Sequence, residues 1–129
     1  MMPMKGNPVG WFEIYVQDME RAKAFYESVF KCELQTLPLP EEGGLQMLSF
    51  PMDGEAYGSP GALCKMDGVA SGGGGTLVYF SCEDCSVEES RAAAAGGSVS
   101  RGKMSIGEYG FISLVTDPDG NMIGLHSQK

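Results

Sequence analysis

The sequence predicts an α+β protein built from two copies of a βαβββ unit. Three observations support this prediction: a strand, a capping Asp and a helix follow one another twice, the two copies are offset by 66 residues, and a glycine-rich segment separates them. A chain of 129 residues can bury one core. We therefore expect a single domain over residues 1–129, with module one at about 8–67, the linker at about 68–75 and module two at about 76–129.

The first copy begins with WFEIYV at Trp11–Val16, whose β-branched and aromatic residues favour a strand. Asp18 follows as an N-cap, and apolar residues then recur at helical spacing, so a helix should run to about Phe30. Further strands are expected near 33–37, 45–50 and 60–66.

The second copy begins with LVYFSC at Leu77–Cys82, followed by Asp84 and by Ser86 and Glu89 at capping-box spacing. An Ala-rich helix should end at Gly96 and Gly97. Strands are expected near 98–101, 111–116 and 121–126. The turn sequences FPMDG and TDPDG continue the same 66-residue offset.

The composition excludes several classes of function. Seventeen acidic residues against nine basic ones give a net charge of −8, which argues against a nucleic-acid partner. No apolar run is long enough for a membrane span, and the N-terminus lacks the apolar core of a secretion signal, so we expect a cytoplasmic protein. Cys82 and Cys85 form a CxxC motif, but with one His in the chain it is interpreted as structural.

Two motifs resemble the vicinal oxygen chelate superfamily, which contains glyoxalases, bleomycin-resistance proteins and dioxygenases. They are V-x-D-[apolar]-x-R-A-x-x-FY at Val16–Tyr26 and D-P-D-G-N at Asp117–Asn121. The resemblance covers nearly the whole chain. It implies two βαβββ modules that form a curled mixed sheet with a central cleft, and it implies a homodimer.

The metal-dependent relatives place a ligand at the start of each first strand and on each last strand. The resemblance maps the first-strand positions to Trp11 and Leu77, and it maps the usual Glu of the last strand to Gly124. The matching strand of the first copy, GALCKM, has no carboxylate. We therefore expect no metal ligands and no cofactor, with a divalent metal possible only at a non-standard site.

Alternation along the first strands assigns one set of side chains to the cleft: Trp11, Glu13, Tyr15, Leu77, Tyr79 and Ser81. Glu13 and His126 lie two positions after the usual ligand positions, on the same side of their strands. They are candidates for moving a proton or orienting a ligand. The simpler alternative is that His126 is solvated, that Glu13 pairs with a base and that the aromatic residues are core.

The leading hypothesis is a small-molecule-binding protein with an aromatic cleft, in which Trp11, Tyr15, Tyr79 and Gly124 line the site and Glu13 is the main polar contact. Its acidity favours a neutral or cationic ligand. One alternative is a lyase or dioxygenase-type enzyme with a displaced site at Glu13 and His126. Another is a non-catalytic interaction protein with a vestigial cleft.

Overall fold

The computed structural model describes residues 6–39, 43–56 and 58–129. Strands and helices alternate as expected for two βαβββ copies. The elements are β1 (Val9–Tyr15), α1 (Met19–Phe30), β2 (Gln35–Thr36), β3 (Gln46–Ser49), β4 (Ala62–Lys65), β5 (Thr76–Ser81), α2 (Cys85–Ala94), β6 (Ser98–Ser105), a 3-10 turn (Gly107–Tyr109), β7 (Phe111–Thr116) and β8 (Met122–Ser127). The predicted α+β class and the repeated βαβββ order are confirmed.

The chain divides into two compact units. The first unit is Phe12–Thr76, and the second joins the residues up to Trp11 to Leu77–Lys129. None of the helices in the described ranges is long and apolar enough to cross a membrane.

In the first unit, β1 pairs in parallel with β4, which pairs antiparallel with β3, and β3 pairs with β2. Helix α1 packs on one side of these strands, where the buried side chains of Met19, Leu34, Leu48 and Leu63 form a core. Ile14 and Val16 pack against this core, as alternation along β1 predicts. Asp18 caps the helix by accepting from the N–H of Arg21 at 3.0 Å.

The second unit repeats this pairing. Strand β5 pairs in parallel with β8, β8 pairs antiparallel with β7, and β7 pairs with β6. Cys85 at the start of α2 packs with Val115 and Leu125, and Phe80 packs against them. The helix side of β5 is therefore the predicted one.

The constant 66-residue offset fails at the last strand of each copy. Strand register pairs Glu13 with Ala62 in the first unit and Tyr79 with Gly124 in the second. Glu13 and Tyr79 are 66 residues apart, whereas Ala62 and Gly124 are 62 apart. The connection between β3 and β4 is longer than the one between β7 and β8. The residue of the first unit that corresponds to Gly124 is therefore Ala62.

The predicted capping box of α2 is wrong. Asp84 is the N-cap and accepts from the N–H of Ser86 at 3.0 Å. Glu89 instead accepts from the N–H of Lys103 and from the hydroxyl of Ser113, both at 2.7 Å. A carboxylate at this spacing therefore ties the helix to β6 and β7 rather than to its own first turn.

Candidate functional site

Glu13 and Tyr15 form a hydrogen-bonded pair on the side of β1 that faces away from α1. The Tyr15 hydroxyl donates to Oε1 of Glu13 at 2.9 Å, and Glu13 is only 6% exposed. Residues two apart on a strand point to the same side, so the strand itself brings the two groups together. A buried carboxylate needs hydrogen-bond donors, and Tyr15 supplies one.

The neighbouring strands surround this pair with small and apolar side chains. Register places Ala62 beside Glu13 and Cys64 beside Tyr15, and both are fully buried. On the next strand, Ser49 pairs with Ala62 and is 2% exposed. The carboxylate therefore lies in a low-dielectric setting, where a hydrogen bond or a positive charge counts for more than in water.

The pKa of the Cys64 thiol reflects these buried surroundings. Burial raises the pKa of Cys64 well above its usual range, and the negative charge of Glu13 raises it further. A neutral thiol beside the carboxylate adds no second negative charge. Glu13 therefore provides the negative charge next to Cys64 on this side of β1.

In the second unit, the Tyr79 ring lies against Gly124. A Cβ at position 124 would overlap the ring atoms of Tyr79, which is 6% exposed. The predicted binding residue Leu77 is also buried, whereas Ser81 is exposed. The glycine at the family's carboxylate position therefore makes room for an aromatic ring.

His126 contacts the turn that precedes β7. Its Nε2 lies 2.6 Å from the carbonyl oxygen of Tyr109, which also accepts from the side-chain amide of Gln128 at 3.2 Å. Because a carbonyl only accepts, Nε2 is the donor in this contact. Glu13 belongs to the first unit and His126 to the second, so their joint action stays a prediction.

The described residues do not fit a divalent metal. Within the described ranges, no three His, Cys, Asp or Glu side chains come together as a metal-binding group. The positions that the resemblance assigns to ligands hold Trp11, Leu77 and Gly124, and strand register makes Ala62 the counterpart of Gly124. The side chains at these positions offer no ionisable oxygen or imidazole.

The CxxC cysteines are free thiols in the second unit. Cys85 is fully buried at the first position of α2. Burial, followed by the negative charge of Glu88, raises the pKa of Cys82 to about 11. A thiol with such a pKa is a weak nucleophile at neutral pH, which agrees with the structural interpretation of the motif.

The fold defines a class of proteins built from two βαβββ modules. The chain matches the Glyoxalase/Bleomycin resistance protein/Dioxygenase superfamily over residues 9–125 and belongs to it. It is 29% identical over 126 residues to the putative glyoxylase CFP32 of Mycobacterium bovis and of Mycobacterium tuberculosis. That match covers 94% of this chain but 45% of each relative, so the chain spans less than half of their length.

Solved structures show the same fold. Methylmalonyl-CoA epimerase from Mycobacterium tuberculosis superposes with a TM-score of 0.67 at 15% identity, covering 95% of this chain and 88% of that one. A hypothetical protein from Bacillus halodurans gives 0.71 at 14% identity, covering 97% and 96%. At these identities the similarity establishes the fold but not the chemistry of the site.

Sequence reasoning missed two features of the site region. One is the contact of Glu89 with Ser113 and Lys103, which depends on strand register. The other is a cavity on the α1 side of the first unit, lined in part by Phe12, Tyr26 and Phe50. Alternation along β1 places Phe12 opposite the predicted cleft residues and so on the side of this cavity, but the loop residues that complete the cavity have no periodic pattern.

Proposed function

We propose that this chain binds a small organic molecule on the Glu13 side of β1, and that it does so without the divalent metal of its metal-dependent relatives. The observation that carries the proposal is the buried Glu13 carboxylate, held by the Tyr15 hydroxyl at 2.9 Å. A carboxylate in a low-dielectric setting interacts strongly with a hydrogen-bond donor or cation that reaches it, so Glu13 is a good candidate for a ligand contact.

The chemistry of this face favours a ligand that donates hydrogen bonds. Glu13 accepts, Tyr15 can accept through its phenolic oxygen, and the thiol of Cys64 stays neutral. A neutral molecule with hydroxyl or N–H groups, or a cation, would gain from the carboxylate, whereas an anion would be repelled. The net charge of −8 acts in the same direction. Contacts from Trp11, Leu77, Tyr79 and Ser81 stay predictions.

A fragment screen by protein-observed NMR tests this function. Wild-type protein and Glu13→Gln would be titrated with neutral, cationic and anionic aromatic fragments. We expect neutral donors and cations to perturb the amides of Tyr15 and Cys64, and we expect Glu13→Gln to weaken their binding about tenfold, because a charge-assisted hydrogen bond is lost. Glu33→Gln, an exposed glutamate of the same unit, is the matched control.

The screen can also reject the proposal. Equal affinity of every hit for wild type and Glu13→Gln would remove Glu13 as the contact. A thermal melt of Glu13→Gln shows whether any loss of binding reflects unfolding instead. The enzyme alternative would gain support from substrate turnover that requires both Glu13 and His126.

A further inference from the structure

A cavity of about 360 Å³ lies in the first unit, on the α1 side of β1. Its lining includes Phe12 and Ile14 from β1, Tyr26 and Phe30 from α1, and Phe50 after β3. Phe12 and Ile14 alternate with Glu13 along the strand, so this cavity and the Glu13 carboxylate are on opposite sides of β1. It is therefore separate from the site of the proposed function.

The aromatic rings of this cavity are arranged around an open space. The rings of Phe12 and Phe50 have centroids 6.0 Å apart, and Tyr26 meets Phe50 edge-on at 5.8 Å. Tyr26 and Phe30 are nearly parallel at 6.3 Å, with 13° between their planes. Phe30 is 63% exposed and forms the rim. Rings at these distances and angles can accept a further aromatic ring in the same kind of packing.

Ser59 lines both this cavity and a second, smaller space. The hydroxyl oxygen of Ser59, which lines the cavity, is buried and has no hydrogen-bond partner among the residues that the structure describes. A second space of about 100 Å³ shares Ser59 with the first and is lined by Asp53. An unpartnered buried hydroxyl costs free energy, and a ligand N–H group would supply its partner.

We propose that this cavity binds a small aromatic amine, with its ring among Phe12, Tyr26 and Phe50 and its ammonium group between Ser59 and Asp53. The carboxylate of Asp53 gives charge complementarity for the ammonium, and the exposed ring of Phe30 can pack against the ring of the ligand. The cavity volume lies in the range of small-molecule pockets, about 300–1,000 Å³.

The test uses 2-phenylethylammonium as the probe, with propylbenzene as its neutral analogue and 3-phenylpropionate as its anionic one. Binding to the whole chain would be followed by amide shifts of Phe12, Phe50 and Ser59. We expect the ammonium to bind with millimolar affinity and at least about threefold more tightly than propylbenzene, because of the Asp53 charge. The anion should bind most weakly.

Two variants with matched controls locate the site. Asp53→Asn should remove the preference for the ammonium over propylbenzene, whereas Glu55→Gln, a neighbouring exposed carboxylate, should leave it unchanged. Phe30→Ser should weaken both ligands several-fold. Val29→Ser is its control, because Val29 is 53% exposed on the same helix and does not line the cavity. Phe30 is so exposed that its loss should leave the fold intact.

Three outcomes would overturn this proposal. The first is equal binding of anion and ammonium, or no shift at these amides. The second is loss of ammonium binding in Glu13→Gln, which would assign the probe to the Glu13 side of the strand. The third is that the ammonium does not bind, while the chain self-associates and Phe30→Ser abolishes this association. The exposed ring of Phe30 would then be a contact between copies of the chain. This test is independent of the proposed function, because the ammonium can bind the cavity even if no molecule binds on the Glu13 side of β1.

Discussion

The ring of Tyr79 lies in the space that a side chain at position 124 would occupy. Tyr79 and Gly124 are register partners on the parallel strands β5 and β8, and a Cβ on Gly124 would overlap the ring. This contact gives a steric reason for a glycine at position 124, where the resemblance predicts a carboxylate.

Replacing Gly124 should therefore destabilise the protein. We expect Gly124→Ala to cost about 1–3 kcal/mol of unfolding free energy, because the buried Tyr79 ring must shift, and Gly124→Glu to cost more. Denaturant titration measures this cost. Gly102→Ala is the control, since its Cβ would meet nothing nearer than 3.8 Å. A smaller cost of Gly124→Ala in a Tyr79→Ala background than in wild type would assign the cost to the ring. A fully stable Gly124→Ala would refute the contact.

The Glu89 carboxylate should hold α2 to the strands of the second unit. Ser113 is fully buried and donates to Glu89 at 2.7 Å, and Lys103 donates its N–H to the same oxygen. Ser113→Ala should lower the unfolding free energy by about 1–2 kcal/mol, since a buried hydrogen bond is lost. The exposed Ser90, whose hydroxyl donates to the backbone carbonyl of Val87 in its own helix, provides the control substitution Ser90→Ala. Equal stabilities of the two variants would contradict this role.

Acid should weaken the start of α2 through Asp84. The Ser86 hydroxyl, followed by the Lys103 ammonium, lowers the pKa of Asp84 from its ordinary 3.8 to about 2. A lowered pKa stabilises the folded chain above pH 3.8, and this contribution is lost as the pH falls through about 2. The difference in urea midpoint between neutral and acidic pH should therefore be smaller in Asp84→Asn, which keeps a capping side chain. Asp67→Asn, at an exposed turn, should keep the wild-type difference.

The cysteines should differ in their reaction with iodoacetamide. Cys64 and Cys85 are fully buried, and the pKa of Cys82 is raised to about 11, so at mildly alkaline pH these three should react slowly in the folded protein. Cys32 is only partly buried and should be modified first. Peptide mapping by mass spectrometry gives the order. If Cys82 reacted as fast as Cys32, the structural interpretation of the CxxC motif would need revision.

The repeated strand and helix pattern was predictable because it depends on local signals. Asp18 and Asp84 are capping residues before amphipathic stretches, and the structure begins both helices immediately after them. The side of β1 that contains Ile14 and Val16 followed from strand alternation alone.

The remaining features depend on contacts that have no local signal. The connections before β4 and β8 differ in length, so Ala62 rather than a residue 66 positions before Gly124 is its counterpart. Glu89 has the spacing of a capping box, but the β6 and β7 partners that the fold brings to it offer two donors. The Ser59 hydroxyl lies in an irregular loop, where periodicity gives no information.

The most direct test of the central claim is the dissociation constant of the best fragment hit, measured by NMR titration in EDTA and again with Zn, Ni, Mn or Fe(II). If the fragment binds through Glu13 without a metal, its dissociation constant should be the same in every condition and larger in Glu13→Gln. Binding that appears only with a stoichiometric metal, and that Glu13→Ala and His126→Ala both abolish, would contradict the metal-free account and place a displaced metal site at these two residues.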